Sequence, residues 1–334
     1  MPRPVRTTIV LAALLLAAFA TVLSALATSP RPGSIVAQKP DQQPTFRAGV
    51  DVVTVDVSVS RSAEPVGGLQ AANFEVFDNG TKQKIDKVTL EQVPLEAYLL
   101  FDLSGSIAGA KLKQLEDAAN AFLDGLTMQD KAALITFAEK STVLQELTGN
   151  REALRKALSD MKAGGNTALY DAAVQTIAMR KHNDRRAVLL VLTDQGDNAS
   201  EKTEKQAIQA AERSDVIAYG VLAEQSNASA VMSGPLGGFG GGGSFRPPQM
   251  QFQLGFLRSL AETTGGRVFR TSSQLRLEDA FGLVLDDARA RYVLTYSPDK
   301  PTPGWHKLQV KLLNVKADVL ARRGYYVDQP ATAK

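Results

Sequence analysis

Residues 97–106 read AYLLFDLSGS, and residues 187–198 read AVLLVLTDQGDN. Each begins with an unbroken apolar run, as a strand covered on both faces should, and each ends in an aspartate followed by small polar residues. Around them apolar strand-like runs at 132–137 and 216–222 alternate with helical periodicity at 111–126, 151–161, 168–180 and 202–213. Strand and helix in repetition imply an α/β fold: a doubly wound, mainly parallel sheet flanked by helices, spanning residues 95–290. The rhythm pauses at a Gly-rich loop, 233–248. It resumes with a helix at 252–263, a Gly265-Gly266 stop, a strand at 267–270 and a helix at 275–289, so the loop reads as an insertion on the domain and not as its boundary.

The flanks have a different period. Val53, Val55, Val57 and Val59 alternate with polar residues. Asp78-Asn79-Gly80 separates two further alternating runs, the strongest short hairpin signal. Residues 47–93 are therefore an all-β piece, too small to hold a core alone. Three more strand-like runs, 292–296, 307–313 and 319–327, form a C-terminal β piece, 291–328, expected to pack with 47–93 as a small β domain. Arg185-Arg186 and Arg322-Arg323 read as solvated edges, and Trp305 with Tyr296 as packing.

At the N-terminus, Arg3 and Arg6 precede an uncharged, largely apolar stretch, 7–30, with a small-x-small site at Ala25-Leu26-Ala27. That order reads as a secretory signal peptide over 1–27, or as an uncleaved inner-membrane anchor given the length of the run. Pro-, Ser- and Gln-rich residues 28–46 read as a linker. The expected location is exported: periplasmic, secreted or anchored in the inner membrane.

Composition narrows the chemistry. The 334 residues carry 38 Lys plus Arg against 35 Asp plus Glu, a formal net charge of +3. No basic cluster points to nucleic acid. There is no cysteine, which excludes disulfides, thiol catalysis and thiolate metal sites. His182 and His306 are the only histidines, so a metal here would be a hard cation held by oxygen.

Three segments offer that oxygen. Asp102, Ser104 and Ser106 follow the first α/β strand, at the carboxyl end where open α/β sheets bind ligands. Thr167 lies in the loop Gly164-Gly165-Asn166-Thr167, and Asp194 ends a second strand. Ser104 and Ser106 taken alone read as helix caps. Taken with Thr167 and Asp194 they suit Mg²⁺ or Mn²⁺, and two carboxylates leave such an ion electrophilic enough to accept one from outside. Asp197 reads first as a turn former; Asp197 and Asn166 are candidates for backing the ligands.

At these residues the chain resembles the von Willebrand factor type A domain with its metal-ion-dependent adhesion site, Asp-x-Ser-x-Ser followed by Thr and then Asp. The resemblance implies a VWA-like domain over 95–290. It implies that Ser104 and Ser106 coordinate directly, that Thr167 engages when ligand is bound, and that Asp102 and Asp194 act directly or through water. Gln195 stands where family members often have Gly. The Asp78-Asn79-Gly80 hairpin, Thr264-Gly265-Gly266 and Arg323-Gly324-Tyr325 resemble exported bacterial "VWFA-related" proteins of the acidobacterial type, over about 47–327.

The expected function is an exported, metal-dependent protein-binding or adhesion module whose cation docks an Asp or Glu of a protein partner. No catalytic residue is assigned, because general-base candidates are scarce and no nucleophile elbow is present. The expected partners include no nucleic acid, and a membrane only through an uncleaved N-terminal segment. Alternatives are an envelope-assembly protein with a fold-stabilising metal and, lower in rank, a metal-dependent hydrolase.

Overall fold

The computed structural model describes residues 52–62, 64–90, 92–223, 248–298 and 302–327, with the side chains of 248–254 left undescribed. The signal or anchor segment, the linker and nearly all of the Gly-rich loop lie outside the described residues. Among the described residues no helix is long and apolar enough to cross a membrane.

The chain opens with β1 (Val53–Arg61), β2 (Glu64–Pro65), β3 (Phe74–Asp78), β4 (Thr81–Gln83) and β5 (Ile85–Leu90). The α/β region follows as β6 (Leu95–Asp102), α1 (Ala110–Asp124), β7 (Lys131–Phe137), β8 (Ser141–Thr148), α2 (Arg151–Ser159), α3 (Leu169–Ala178), β9 (Arg186–Thr193), α4 (Glu204–Glu212) and β10 (Ile217–Leu222). It continues through α5 (Pro248–Thr264), β11 (Val268–Arg270) and α6 (Leu277–Arg289). The tail is β12 (Arg291–Tyr296), β13 (Gly304–Leu312), β14 (Asp318–Ala321) and β15 (Gly324–Val327).

The central sheet has the order β11-β10-β9-β6-β7-β8. All its pairings are parallel except β7 with β8. Its middle strands are apolar throughout because alternate side chains enter two separate cores. Leu95, Ala97, Leu99 and Phe101 of β6 join Val188, Leu190 and Leu192 of β9 against the apolar faces of α1, α2 and α6. Tyr98 and Leu100 join Ala187, Leu189 and Val191 against α3, α4 and α5. This is the α/β fold expected for 95–290. The antiparallel edge strand β8 was not anticipated: its residues are half-buried or exposed, so it carries no continuous apolar run.

Two antiparallel sheets flank it, one ordered β14-β1-β12-β5 with β2 paired to β1, the other β15-β13-β3-β4. Val55, Val57 and Val59 share a core with Phe74, Val76, Tyr292, Leu294, Tyr296 and Leu308. The β3–β4 turn holds Asn79 and Gly80 at φ of 48° and 82°, the left-handed pair that a tight hairpin needs. The run 319–327, expected as one strand, is two strands in different sheets. The break falls at Arg322, whose guanidinium donates to the Ser214 and Glu212 carbonyls at 2.8 and 3.2 Å.

The paired arginines are likewise not simple solvated edges. Arg186 is buried, donating through Nε to Asp56 at 2.8 Å and through Nη1 to the Ala288 carbonyl at 2.9 Å. Arg185 and Arg323 remain at the surface, with side-chain exposures of 28% and 59%. Arg186 is buried and Arg322 half-buried because a guanidinium satisfies several acceptors at once. Such partners are distant in sequence.

Arg291, 0% exposed, is the polar centre between the α/β region and the first β sheet. Nη1 donates to Asp287 Oδ2 and Tyr219 Oη at 3.0 and 3.1 Å, and Nη2 donates to the Gly265 carbonyl at 2.7 Å. Ser58 of β1 donates to the same Asp287 at 2.6 Å. The Thr264-Gly265-Gly266 step must be glycine because it threads between neighbours. A Cβ on Gly265, at φ +82°, would lie 2.6 Å from the Ala321 backbone, and one on Gly266 would lie 2.0 Å from the Ala218 oxygen. Asp287→Ala strands a buried cation and should cost about 3–5 kcal/mol of stability in urea denaturation; a loss under ~1 kcal/mol would show that Arg291 is otherwise satisfied.

A second buried polar cluster lies among the β sheets. His306 Nδ1 is 2.8 Å from Asp78 Oδ1, and Nε2 is 2.6 Å from the Thr302 carbonyl. Both partners only accept, so both ring nitrogens donate and the imidazole is charged. Tyr296 and Tyr325 each donate to Asp78 Oδ2 at 2.8 Å. Burial pulls the His306 pKa down, but the bonds to Thr302 and Asp78 outweigh it and hold it above its ordinary 6.5. A raised folded-state value means the stabilisation is complete below the unfolded value and is lost as pH rises through the folded one. The urea midpoint should therefore fall as pH rises above His306's ordinary 6.5, and His306→Gln should flatten that dependence. An equal slope in the variant would place the titration elsewhere.

Candidate functional site

The register between β6 and β9 builds the site. Phe101 lies opposite Leu192, so the next residues along, Asp102 and Thr193, reach the carboxyl rim side by side. Thr193 donates to Asp102 Oδ2 at 2.6 Å, and the Ser104 amide donates to Asp102 Oδ1 at 2.8 Å. Backbone bonds then tie the loops together: Gly164 N to Leu103 O at 2.7 Å, Gly105 N to Gly165 O at 3.2 Å, and Asn198 N to Thr167 O at 2.9 Å. The Thr167 amide in turn donates to the Asn198 side chain at 2.8 Å.

These ties gather the five expected oxygen-bearing side chains. The hydroxyls of Ser104 and Ser106 share a hydrogen bond of 3.1 Å, and Ser106 donates to Asp194 Oδ1 at 2.7 Å. Gln195 Nε2 donates to both Ser104 Oγ and Thr167 Oγ1, at 2.6 and 2.5 Å. Asp102, Ser104, Thr167 and Asp194 are all buried, 1% exposed or less. Ser106 is exposed, so the cluster meets solvent along one side.

The two backing candidates hold neighbouring segments. Asp197 accepts from the Tyr170 amide at 3.1 Å and from the Ser200 amide at 3.3 Å, holding the start of α3. Asn166 reaches the Glu139 carboxylate at 3.4 Å. Three residues that were not expected to contact the ligands do touch them: Thr193, Gln195 and Lys111, whose Nζ lies 2.8 Å from Asp194 Oδ2. Lys111 carried a readable signal, a basic side chain in the first turn of α1, where the helix dipole favours acids.

Two carboxylates are buried together here. Burial pushes the Asp102 carboxyl above its ordinary range, and the nearby Asp194 adds to this against the bonds from Ser104 and Thr193. Such a pair is costly without a compensating positive charge. The donor set, hydroxyl and carboxylate oxygen without nitrogen or sulfur, suits a hard divalent cation. Among the described residues no group of three or more His, Asp or Glu could hold a metal by itself, so a cation at this site depends on the hydroxyls.

Comparison with known proteins agrees with the fold. Residues 98–197 match the family model of the von Willebrand factor type A domain. An uncharacterized protein of Synechocystis sp. is 32% identical over 112 residues, 32% of this chain and 26% of the relative. The inter-alpha-trypsin inhibitor heavy chain H4 of Homo sapiens is 27% identical over 185 residues, 52% of this chain and 19% of that one. The chain thus spans about a quarter or less of the length of these curated relatives. Among solved structures, a von Willebrand factor type A protein from Catenulispora acidiphila superposes with a TM-score of 0.49 at 14% identity, covering 79% of this chain and 76% of the other. The matched segment, 98–197, resembles the von Willebrand factor type A domain and contains every one of the five gathered side chains.

Proposed function

We propose that the chain is an exported protein-binding module that takes up a divalent cation, Mg²⁺ or Mn²⁺, at Asp102, Ser104, Ser106, Thr167 and Asp194. The observation that carries this reading is the convergence of three hydroxyls on only two buried carboxylates, beside a solvent-exposed Ser106. When bound, the cation supplies an electrophilic position for a carboxylate of a protein partner. The chain's own residues do the rest: Thr193 and the Ser104 amide orient Asp102, and Asn198 orients the Thr167 loop.

Binding is favoured over catalysis because neither histidine lies at the site. His182 pairs with Asp215 before β10, at the opposite end of the sheet, and His306 pairs with Asp78. Export rests on the positively flanked apolar stretch 7–30, and the mass of the exported chain distinguishes removal after Ala27 from retention as an anchor.

The test uses the full chain immobilised and exposed to envelope proteins with Mg²⁺ or with EDTA. The retained partners should be lost in EDTA and in Asp102→Ala, while Ser106→Ala, altering an exposed side chain, should retain fewer without unfolding. Retention indifferent to both EDTA and Asp102→Ala would falsify the reading. A melting temperature raised by Mg²⁺ without any carboxylate-dependent partner would instead favour a fold-stabilising metal in an envelope-assembly protein.

A further inference from the structure

The acceptors of the site are held by donors of the chain itself. Lys111 sends its ammonium to Asp194 Oδ2 at 2.8 Å; its side chain is 29% exposed, whereas that of Asp194 is 0% exposed. Gln195 sends one amide nitrogen to Ser104 Oγ and Thr167 Oγ1. Ser106 uses its hydrogen on Asp194 Oδ1. Thus three of the five side chains, Asp194, Ser104 and Thr167, are engaged by nitrogen donors from two residues outside the motif.

We propose that Lys111 and Gln195 form an internal latch that stands in for the cation and sets how tightly the chain takes one up. The proposal rests on the metal-binding reading above. A hydroxyl oxygen that accepts from an amide has turned a lone pair toward it, and that pair is not available to a metal. An ammonium and a dication competing for one carboxylate also repel each other, strongly where the surroundings are dry. Each donor therefore opposes uptake while it stays in place. The apparent affinity equals the intrinsic one multiplied by the fraction of molecules with the latch open.

The latch also has a purpose without metal. It gives a buried carboxylate a positive partner and so lowers the cost of keeping Asp102 and Asp194 together. Room for the displaced side chain is at hand. A cavity of about 300 Å³ borders Lys111, with Ile107, Leu115, Leu192, Leu275 and Leu277 to receive its aliphatic stem and Glu278 on α6 in the same lining as an alternative anion.

Calorimetric titration of MgCl₂ into the EDTA-stripped full chain tests this. Lys111→Met should bind Mg²⁺ roughly tenfold more tightly than wild type, as expected if the latch is open about a tenth of the time. In EDTA the same variant should melt at a lower temperature, having lost the ammonium that meets buried Asp194. Lys111→Arg, which keeps the charge, should bind like wild type. A Lys111→Met affinity equal to or weaker than wild type overturns the latch while leaving the metal site standing. If wild type, Lys111→Met and Lys111→Arg all fail to bind Mg²⁺, the metal site itself is refuted and the latch falls with it. Should circular dichroism show Lys111→Met unfolded, Gln195→Ala carries the same test: tighter binding supports the latch, and equal or weaker binding overturns it.

Discussion

The parallel pairing of β6 with β9 is the constraint on which the rest depends. With Phe101 opposite Leu192, both strands end on the same rim, and their terminal carboxylates are carried there by backbone hydrogen bonds that neither side chain can refuse. Slipping the register by one residue would turn Asp102 and Asp194 into the flanking cores. The apolar runs that hold the register, Leu99–Phe101 and 188–192, are buried on both sides by helices. The hydrophobic effect is thus what holds two charged groups in an environment they would otherwise avoid.

That arrangement creates a charge problem, and the surrounding residues read as answers to it. Thr193 and the Ser104 amide donate to Asp102, Ser106 and Lys111 donate to Asp194, and Gln195 bridges Ser104 and Thr167. On the metal-binding reading proposed above, a rim where the Lys111 ammonium already meets a buried carboxylate would exchange one cation for another. A rim with more acids would bind an ion too completely to leave a coordination position for a partner.

The β sheets are joined to this domain through polar contacts as well as apolar ones. Arg291 begins β12 directly after α6, and its guanidinium reaches Asp287, Tyr219 and the Gly265 carbonyl. Arg186, at the start of β9, holds Asp56 of β1. The last helix of the α/β region is therefore held at its C-terminal end by groups from β1, β10 and the Gly265 turn. A shift of α6 would have to carry β12 with it or break a buried network.

Much of the fold is legible in the residues alone. Unbroken apolar runs named the covered strands because burial on both faces leaves no position for polar residues. The valine alternation named β1, and Asn79-Gly80 named the β3–β4 hairpin because few residues tolerate the left-handed backbone of that turn. The five oxygen-bearing side chains were recognisable from their order and from strand ends where ligands collect. Where Arg186, Arg322, Gln195 and Lys111 would go was not legible. Each acts on a group brought near only by folding, and a charged or amide side chain has the same appearance in sequence whether it meets water or a buried carboxylate. Most strands and helices, though not β8 or the β14–β15 break, and the oxygens that end the strands follow from local periodicity and residue chemistry. Only the tertiary structure decided that the oxygens converge, that Lys111 and Gln195 occupy them, and that Arg291 ties α6 to the β sheets, because these are contacts between segments distant in sequence.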